Sequence, residues 1–186
     1  MNTAETRQEL VTRIDRIGPW SREDGLINVI VDTPKGSANK YQLDEELGVF
    51  KLGGVLTAGH SFPFDFGFIP CTKGGDGDPL DVLVLMDQPA FVGCLVECRL
   101  IGGYEAYQTE KDSEEVRNDR LLGVAKKSVL FGDVTSIEDL NVKLLDQIEH
   151  FFVSYNEAKG KTFRVQSRFA PERAGSIVRA SVEGEK

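Results

Sequence analysis

The chain has 186 residues, 40% of them hydrophobic and 11 of them Phe, which is enough for a sizeable core in one domain and too little for a second full one. A formal charge of −8 at pH 7 sets the whole surface against nucleic acid and anionic membrane, so neither is expected as a partner. No apolar run approaches the ~20 residues that span a bilayer, and the N-terminal MNTAETRQELVTRIDRIG mixes charges where a signal peptide needs an apolar stretch, so the expected location is cytoplasmic.

In chain order, residues 26–32 (LINVIVD) read as a β-branched strand ended by the turn signal Thr33-Pro34-Lys35-Gly36. Lys40-Tyr41-Gln42-Leu43 starts its expected return partner, and Gly53-Gly54 marks a break. Phe62, Phe64, Phe66 and Phe68 occupy alternate positions, which predicts one core-facing aromatic row on a strand. Lys73-Gly74-Gly75-Asp76-Gly77 reads as a flexible loop, followed by the short apolar strand Val82-Leu83-Val84-Leu85-Met86. Another strand is expected over 93–101, after a turn bearing Pro89. Residues 102–120 turn polar and charged, in the manner of a surface loop or hairpin, and 121–124 predict a further strand. Cys71, Cys94 and Cys98 are too few and too odd in number for a disulfide framework and are expected as reduced thiols, the latter two as core packing.

The main helix is expected to start at Ser136, with Asp139 completing a capping box. Leu140, Leu144, Leu145, Ile148, Phe151, Phe152 and Tyr155 recur at helical spacing before the stop at Gly160. A second, weaker helix is expected over about 171–182, with Pro171 in its first turn. Many short strands followed by two helices predict a mostly β, α+β domain: a small closed or nearly closed sheet with helices outside.

The chemistry concentrates in Asp76-Gly77-Asp78-Pro79-Leu80-Asp81, where three carboxylates crowd beside an apolar strand. One Asp as an Asx-turn former and another in solvent is the plain structural account of such a loop. Carboxylates this close repel one another, however, and near a core they are costly unless a cation neutralises them. The chain enters a strand where an EF-hand would continue its ligands, and hard oxygens without His or Cys favour Mg²⁺ or Mn²⁺. Glu110, Asp112, Glu114, Glu115 and Asp119 add carboxylates, enough to hold two or more ions around a polyanion.

The Asp76 to Asp81 segment closely resembles the D-G-D-P-[hydrophobic]-D signature of the family I soluble inorganic pyrophosphatases. Phe62-Pro63-Phe64-Asp65-Phe66-Gly67-Phe68-Ile69-Pro70, Asn118-Asp119-Arg120-Leu121-Leu122-Gly123-Val124-Ala125 and His150-Phe151-Phe152-Val153-Ser154-Tyr155 are similar to further segments of that family, in the same order over about 26–182. The resemblance implies one domain over 1–186, with 1–25 as an N-terminal extension, built on an OB-like five-stranded β-barrel with two flanking helices. It implies Mg²⁺-dependent hydrolysis of pyrophosphate to two phosphates by a metal-activated water, in a homo-oligomer. Residue by residue, it makes Asp76, Asp81 and Asp119 metal ligands, with Glu110 or Asp112 as the remaining acid. Asp78 helps to activate the water, Lys40 and Tyr155 bind phosphate, and Asp32 stands where the family usually has Glu.

The resemblance also has gaps. Gly53 stands where the family has a phosphate-binding arginine, Phe66 where it has a tyrosine, Gln42 where it has a glutamate, and Leu121 and Asn156 where it has lysines. Three cations are thus missing around a tetraanion, each worth roughly 1.5–3 kcal/mol in a charge-assisted hydrogen bond. Arg120 is the expected substrate-binding replacement, with Lys51, Lys159, Lys161 and Arg164 as further candidates, whereas His60 and His150 are expected to be packed or exposed. The alternatives are activity on another phosphoanhydride or phosphoester, and a weakly active or inactive metal-binding oligomer.

Overall fold

The computed structural model describes residues 14–109 and 113–182. Five strands pair into a closed ring: β1 (Leu26–Thr33), β4 (Asp65–Phe68), β5 (Asp81–Leu85), β8 (Arg120–Ala125) and β6 (Leu95–Thr109), which returns to β1. The β5–β8 pair is parallel and the other pairings of the ring are antiparallel. Strand β7 (Val116–Arg117) and strand β9 (Thr162–Phe169) both add to β6, and β2 (Asn39–Asp44) with β3 (Val49–Val55) forms a separate hairpin. Helices α1 (Val142–Glu157) and α2 (Pro171–Ser181) pack outside. The expected mostly β class with a closed five-stranded sheet is what forms.

Period-2 alternation in β5 and β8 divides the core in two. Leu83, Leu85, Leu122 and Val124 join Phe62, Phe64 and Phe66 and meet Leu145, Ile148 and Phe152 of α1. Val82, Val84 and Leu121 join Ile27, Val29 and Ile69 and meet Ala174 and Val178 of α2. Covered on both faces, β5 and β8 are apolar beyond their first residues, Asp81 and Arg120.

Several local expectations need correction. The 40–43 segment pairs with β3 rather than with β1, and Gly53-Gly54 lies inside β3 instead of breaking the chain. The regular aromatic strand is only Asp65–Phe68, so Phe62 and Phe64 precede it, and Phe68 is half-buried outside the aromatic core. Residues 102–109 are no surface loop. They continue β6 through the molecule, with Tyr104 and Ala106 fully buried, because the glycines at 102 and 103 let neighbouring backbone approach. A Cβ on Gly103 would come within 2.6 Å of the Arg120 carbonyl oxygen, and Gly102 takes φ +132°.

Ser136 and Asp139 do form a capping box, but on the short 3₁₀ turn Ile137–Asp139. The long helix starts afresh at Val142, capped by Asn141. Strand β9 was not anticipated, since Arg164 and Arg168 interrupt its apolar residues; only Phe163 and Phe169 are buried. No disulfide joins the three cysteines; Cys98 lies in the core and Cys94 is half-buried. Among the described residues, no helix is long and apolar enough to cross a membrane.

Gly67 of β4 lies flat against β1, where a Cβ would overlap the Ile30 carbonyl oxygen. Gly67→Ala is therefore expected to cost about 1–3 kcal/mol through overpacking, read as a lowered urea midpoint at unchanged m-value.

Candidate active site

The parallel register sets Val82 opposite Leu121, which brings Asp81 and Arg120 together where β5 and β8 begin. Arg120 Nη1 lies 2.7 Å from Asp81 Oδ2, and the Arg120 side chain is only 8% exposed. The same nitrogen donates to the Asn118 side-chain oxygen and, at 3.1 Å, to the Asp119 carbonyl. The guanidinium sits 5.6 Å from the Phe152 ring centroid and 5.2 Å from that of Phe163. Its Nε is buried without a hydrogen-bond partner among the described residues. Burial pushes the Asp81 carboxyl up, Arg120 and Lys40 draw it down, and Asp76 and Asp78 raise it again.

Lys40 reaches over from the hairpin, its Nζ 2.7 Å from both oxygens of Asp32, and lies 4.4 Å from the Phe66 ring centroid. Tyr155, near the end of α1, is pushed up to about 12 by burial and by the charges of Asp81 and Asp32, against the pull of Arg120. The Lys159 ammonium meets the Tyr155 hydroxyl and ring, and burial together with Lys40, Lys161 and Arg120 holds its pKa below the ordinary lysine range. Asp32, Lys40, Asp81, Arg120, Tyr155 and Lys159 thus form one electrostatic cluster.

On its other side Asp81 lines a cavity of about 230 Å³ shared with Asp76, Asp119, Gly75 and Arg117. Arg117 clasps Asp119 through both carboxylate oxygens, with Nε at 3.1 and 3.0 Å and Nη2 at 2.7 Å. Asp76 Oδ1 accepts from the Asp78 amide at 3.2 Å, closing the loop on itself, and the Asp78 side chain stays exposed. Three hard carboxylates with no His or Cys among the lining residues suit a divalent cation of the Mg²⁺ or Mn²⁺ kind. Among the described residues, no three His, Cys, Asp or Glu side chains stand close enough to enclose one ion, and two of the aspartates are matched by guanidinium groups instead.

Glu110 and Asp112 fall outside the described residues, and Glu114 and Glu115 are exposed. Lys51 pairs with Asp44 at 2.7 Å and Arg164 with Glu115 at 3.0 Å, both on the surface. His60 and His150 line a separate cavity of about 400 Å³ with Ser154 and Glu157. Arg117 was missed by sequence reasoning; two arginines flanking Asp119 in Arg117-Asn118-Asp119-Arg120 were the available signal.

A family model described as inorganic pyrophosphatase matches residues 29–186. This chain belongs to that pyrophosphatase family. It is 37% identical over 156 residues to the inorganic pyrophosphatase of Geobacillus stearothermophilus, covering 84% of this chain and 92% of the relative. The corresponding Synechocystis protein is 41% identical over 147 residues, 79% and 84% of the two chains. The crystal structure of inorganic pyrophosphatase from Thermus thermophilus superposes with a TM-score of 0.83 at 31% identity, covering 92% of this chain and 97% of that one.

Set against the pyrophosphatase pattern, the departures acquire physical meaning. Leu121 is fully buried in the core under α2, so it faces away from the side where Arg120 lies with Phe152 and Phe163. Asn156 is buried and donates to the Phe152 carbonyl at 2.8 Å. Gln42 fills the space beside Gly53, where a Cβ would strike its side-chain amide, so these two departures touch across the hairpin. The Phe66 ring supports the Lys40 ammonium.

Burial outweighs the attraction of Lys40 and raises the Asp32 carboxyl to about 6 from 3.8. Folding therefore favours its protonated form, so this group's contribution to stability is greatest below about pH 4 and is lost as pH rises through 6. A carbon-13 NMR titration is expected to show the Asp32 midpoint near 6, and Lys40→Met to move it higher; a wild-type midpoint below 4 contradicts the assignment.

Proposed function

We propose that this chain hydrolyses inorganic pyrophosphate to two orthophosphates with Mg²⁺, which Mn²⁺ can replace. The observation that carries the reading is Asp81, which joins a carboxylate-lined cavity on one side to a cluster of Lys40, Arg120, Tyr155 and Lys159 on the other. Pyrophosphatase relatives at 37% and 41% identity support the reaction itself.

In this reading Asp76, Asp81 and Asp119 hold the cations, with Glu110 or Asp112 adding a further carboxylate. When bound, such ions neutralise phosphoryl oxygens and lower the pKa of water. Asp78, exposed beside Asp76, takes the proton of the attacking water. Lys40 lies close to Asp32 and over the Phe62 and Phe66 rings, which holds its ammonium where it can meet one phosphoryl group. Arg120 supplies a fixed charge from the floor of the site. Tyr155 stays a neutral hydroxyl at physiological pH and donates to a phosphate oxygen. Lys159 replaces a cation that the substituted positions no longer provide. Self-association of identical chains belongs to the same reading; Phe91, Val129 and Leu130 are 71%, 84% and 75% exposed and offer apolar surface for it.

Phosphate release from pyrophosphate with Mg²⁺ tests this directly. Asp78→Asn is expected to lower kcat about 10²–10⁴-fold, the usual range for a lost general base. Lys159→Met is expected to lower kcat/KM by about tenfold or more, as the loss of one charge-assisted hydrogen bond. No turnover by the intact protein overturns the proposal, and faster hydrolysis of another phosphoanhydride reassigns the substrate.

A further inference from the structure

The two arginines that flank Asp119 have different freedom. Arg120 is buried, bonded to Asn118 and Asp119 backbone, and packed against Phe152 and Phe163, so it cannot leave Asp81 without stranding a buried charge. Arg117 has a side chain 44% exposed and stands on a strand of two residues at the rim of the cavity. Its guanidinium nevertheless covers both oxygens of Asp119, a carboxylate only 6% exposed whose Oδ1 also accepts from the Ala106 amide at 3.2 Å. The fork of one half-exposed residue thus occupies both oxygens of a carboxylate that lines the cavity.

We propose that Arg117 is a built-in competitor for the divalent cation at Asp119, displaced when the ion enters. This rests on the cation-binding reading given above and adds a residue that lies outside its set of ligands. The Arg117 fork and the Ala106 amide together take up the lone-pair sites of both oxygens, so an ion binds there at the expense of the fork and its apparent affinity is reduced by the strength of the Arg117–Asp119 pair. The displaced side chain stays tethered at the cavity rim by the pairing of Arg117 with Tyr107, where its charge faces an incoming anion. Cation uptake and anion capture are thereby linked in one exchange: the carboxylate changes partner, and the freed guanidinium takes the phosphate.

Binding of Mn²⁺ to the intact protein without substrate, followed by electron paramagnetic resonance of the free ion, tests the proposal apart from turnover. Arg117→Gln is expected to bind Mn²⁺ about three- to tenfold more tightly, the range for a half-exposed bidentate pair. Arg117→Lys keeps the charge and loses the fork, so it too is expected to bind more tightly than wild type. Arg164→Gln removes a positive charge that is paired with Glu115 and is expected to leave affinity unchanged. If Arg117→Gln binds as wild type does, or if only charge removal matters, so that Arg117→Lys is unchanged or Arg164→Gln tightens equally, the competitor role is overturned. Asp119→Asn locates any failure: uptake lost in Asp119→Asn but unaltered in Arg117→Gln removes this inference alone, whereas wild-type uptake in Asp119→Asn removes Asp119 as a ligand and both readings with it.

Discussion

The Asp81–Arg120 pair is the contact on which the rest of the site depends. Asp81 is half-buried beside two further aspartates, and burial and both neighbours raise its carboxyl, so a cation next to it is needed to favour the ionised form. The parallel register of β5 and β8 supplies that cation from the strand next door, and aromatic rings of α1 and β9 hold it there. Helix packing, strand register and site charge are therefore one problem with one solution. Moving α1 would release Phe152 from the core and from Arg120 together.

Much of this was legible in the sequence where a pattern had one physical cause. The apolar runs of β5 and β8 required cover on both faces, and two amphipathic helices were at hand to give it. The acidic hexapeptide announced itself because three carboxylates in six residues have few structural uses. Signals failed where tertiary pairing overrode local character. Residues 102–109 look polar, yet one face of β6 is buried while Glu105 on the other meets Arg173 and Ser167. Likewise β9 exists because β6 offers a partner along Gly103 to Thr109, a requirement invisible in TFRVQSRF itself. The capping box at Ser136 was read correctly as chemistry and wrongly as the start of the long helix, since a box closes one turn and does not promise the next.

The site was legible on its acidic side and less so on its cationic side, for a geometric reason. A carboxylate in a short loop is placed by its neighbours in sequence, whereas a long cationic side chain reaches its target from several backbone positions. Arg120 lies one residue from Leu121, but alternation along the strand turns those two side chains to opposite cores. A side chain at 121 points into the core under α2, whereas Arg120 brings a guanidinium to the face it shares with Phe152 and Phe163. The same logic holds at the end of α1, where Asn156 is turned inward and Lys159 approaches Tyr155 one turn later.

The distribution of counter-charges finally explains how so acidic a chain can serve a polyanion. With −8 overall, an open acidic cavity would repel phosphate. Here Asp32, Asp81 and Asp119 each have their own basic partner, in Lys40, Arg120 and Arg117. Such pairing keeps the folded site near neutrality and holds the cationic groups within reach of the cavity instead of dispersed over the surface. On the proposed cation binding, an ion that takes over a carboxylate would leave a positive side chain behind, and the site would become more attractive to an anion as it fills. A site that lacks several cations in its expected positions can therefore still assemble positive potential, provided that its arginines and lysines begin as partners of its acids.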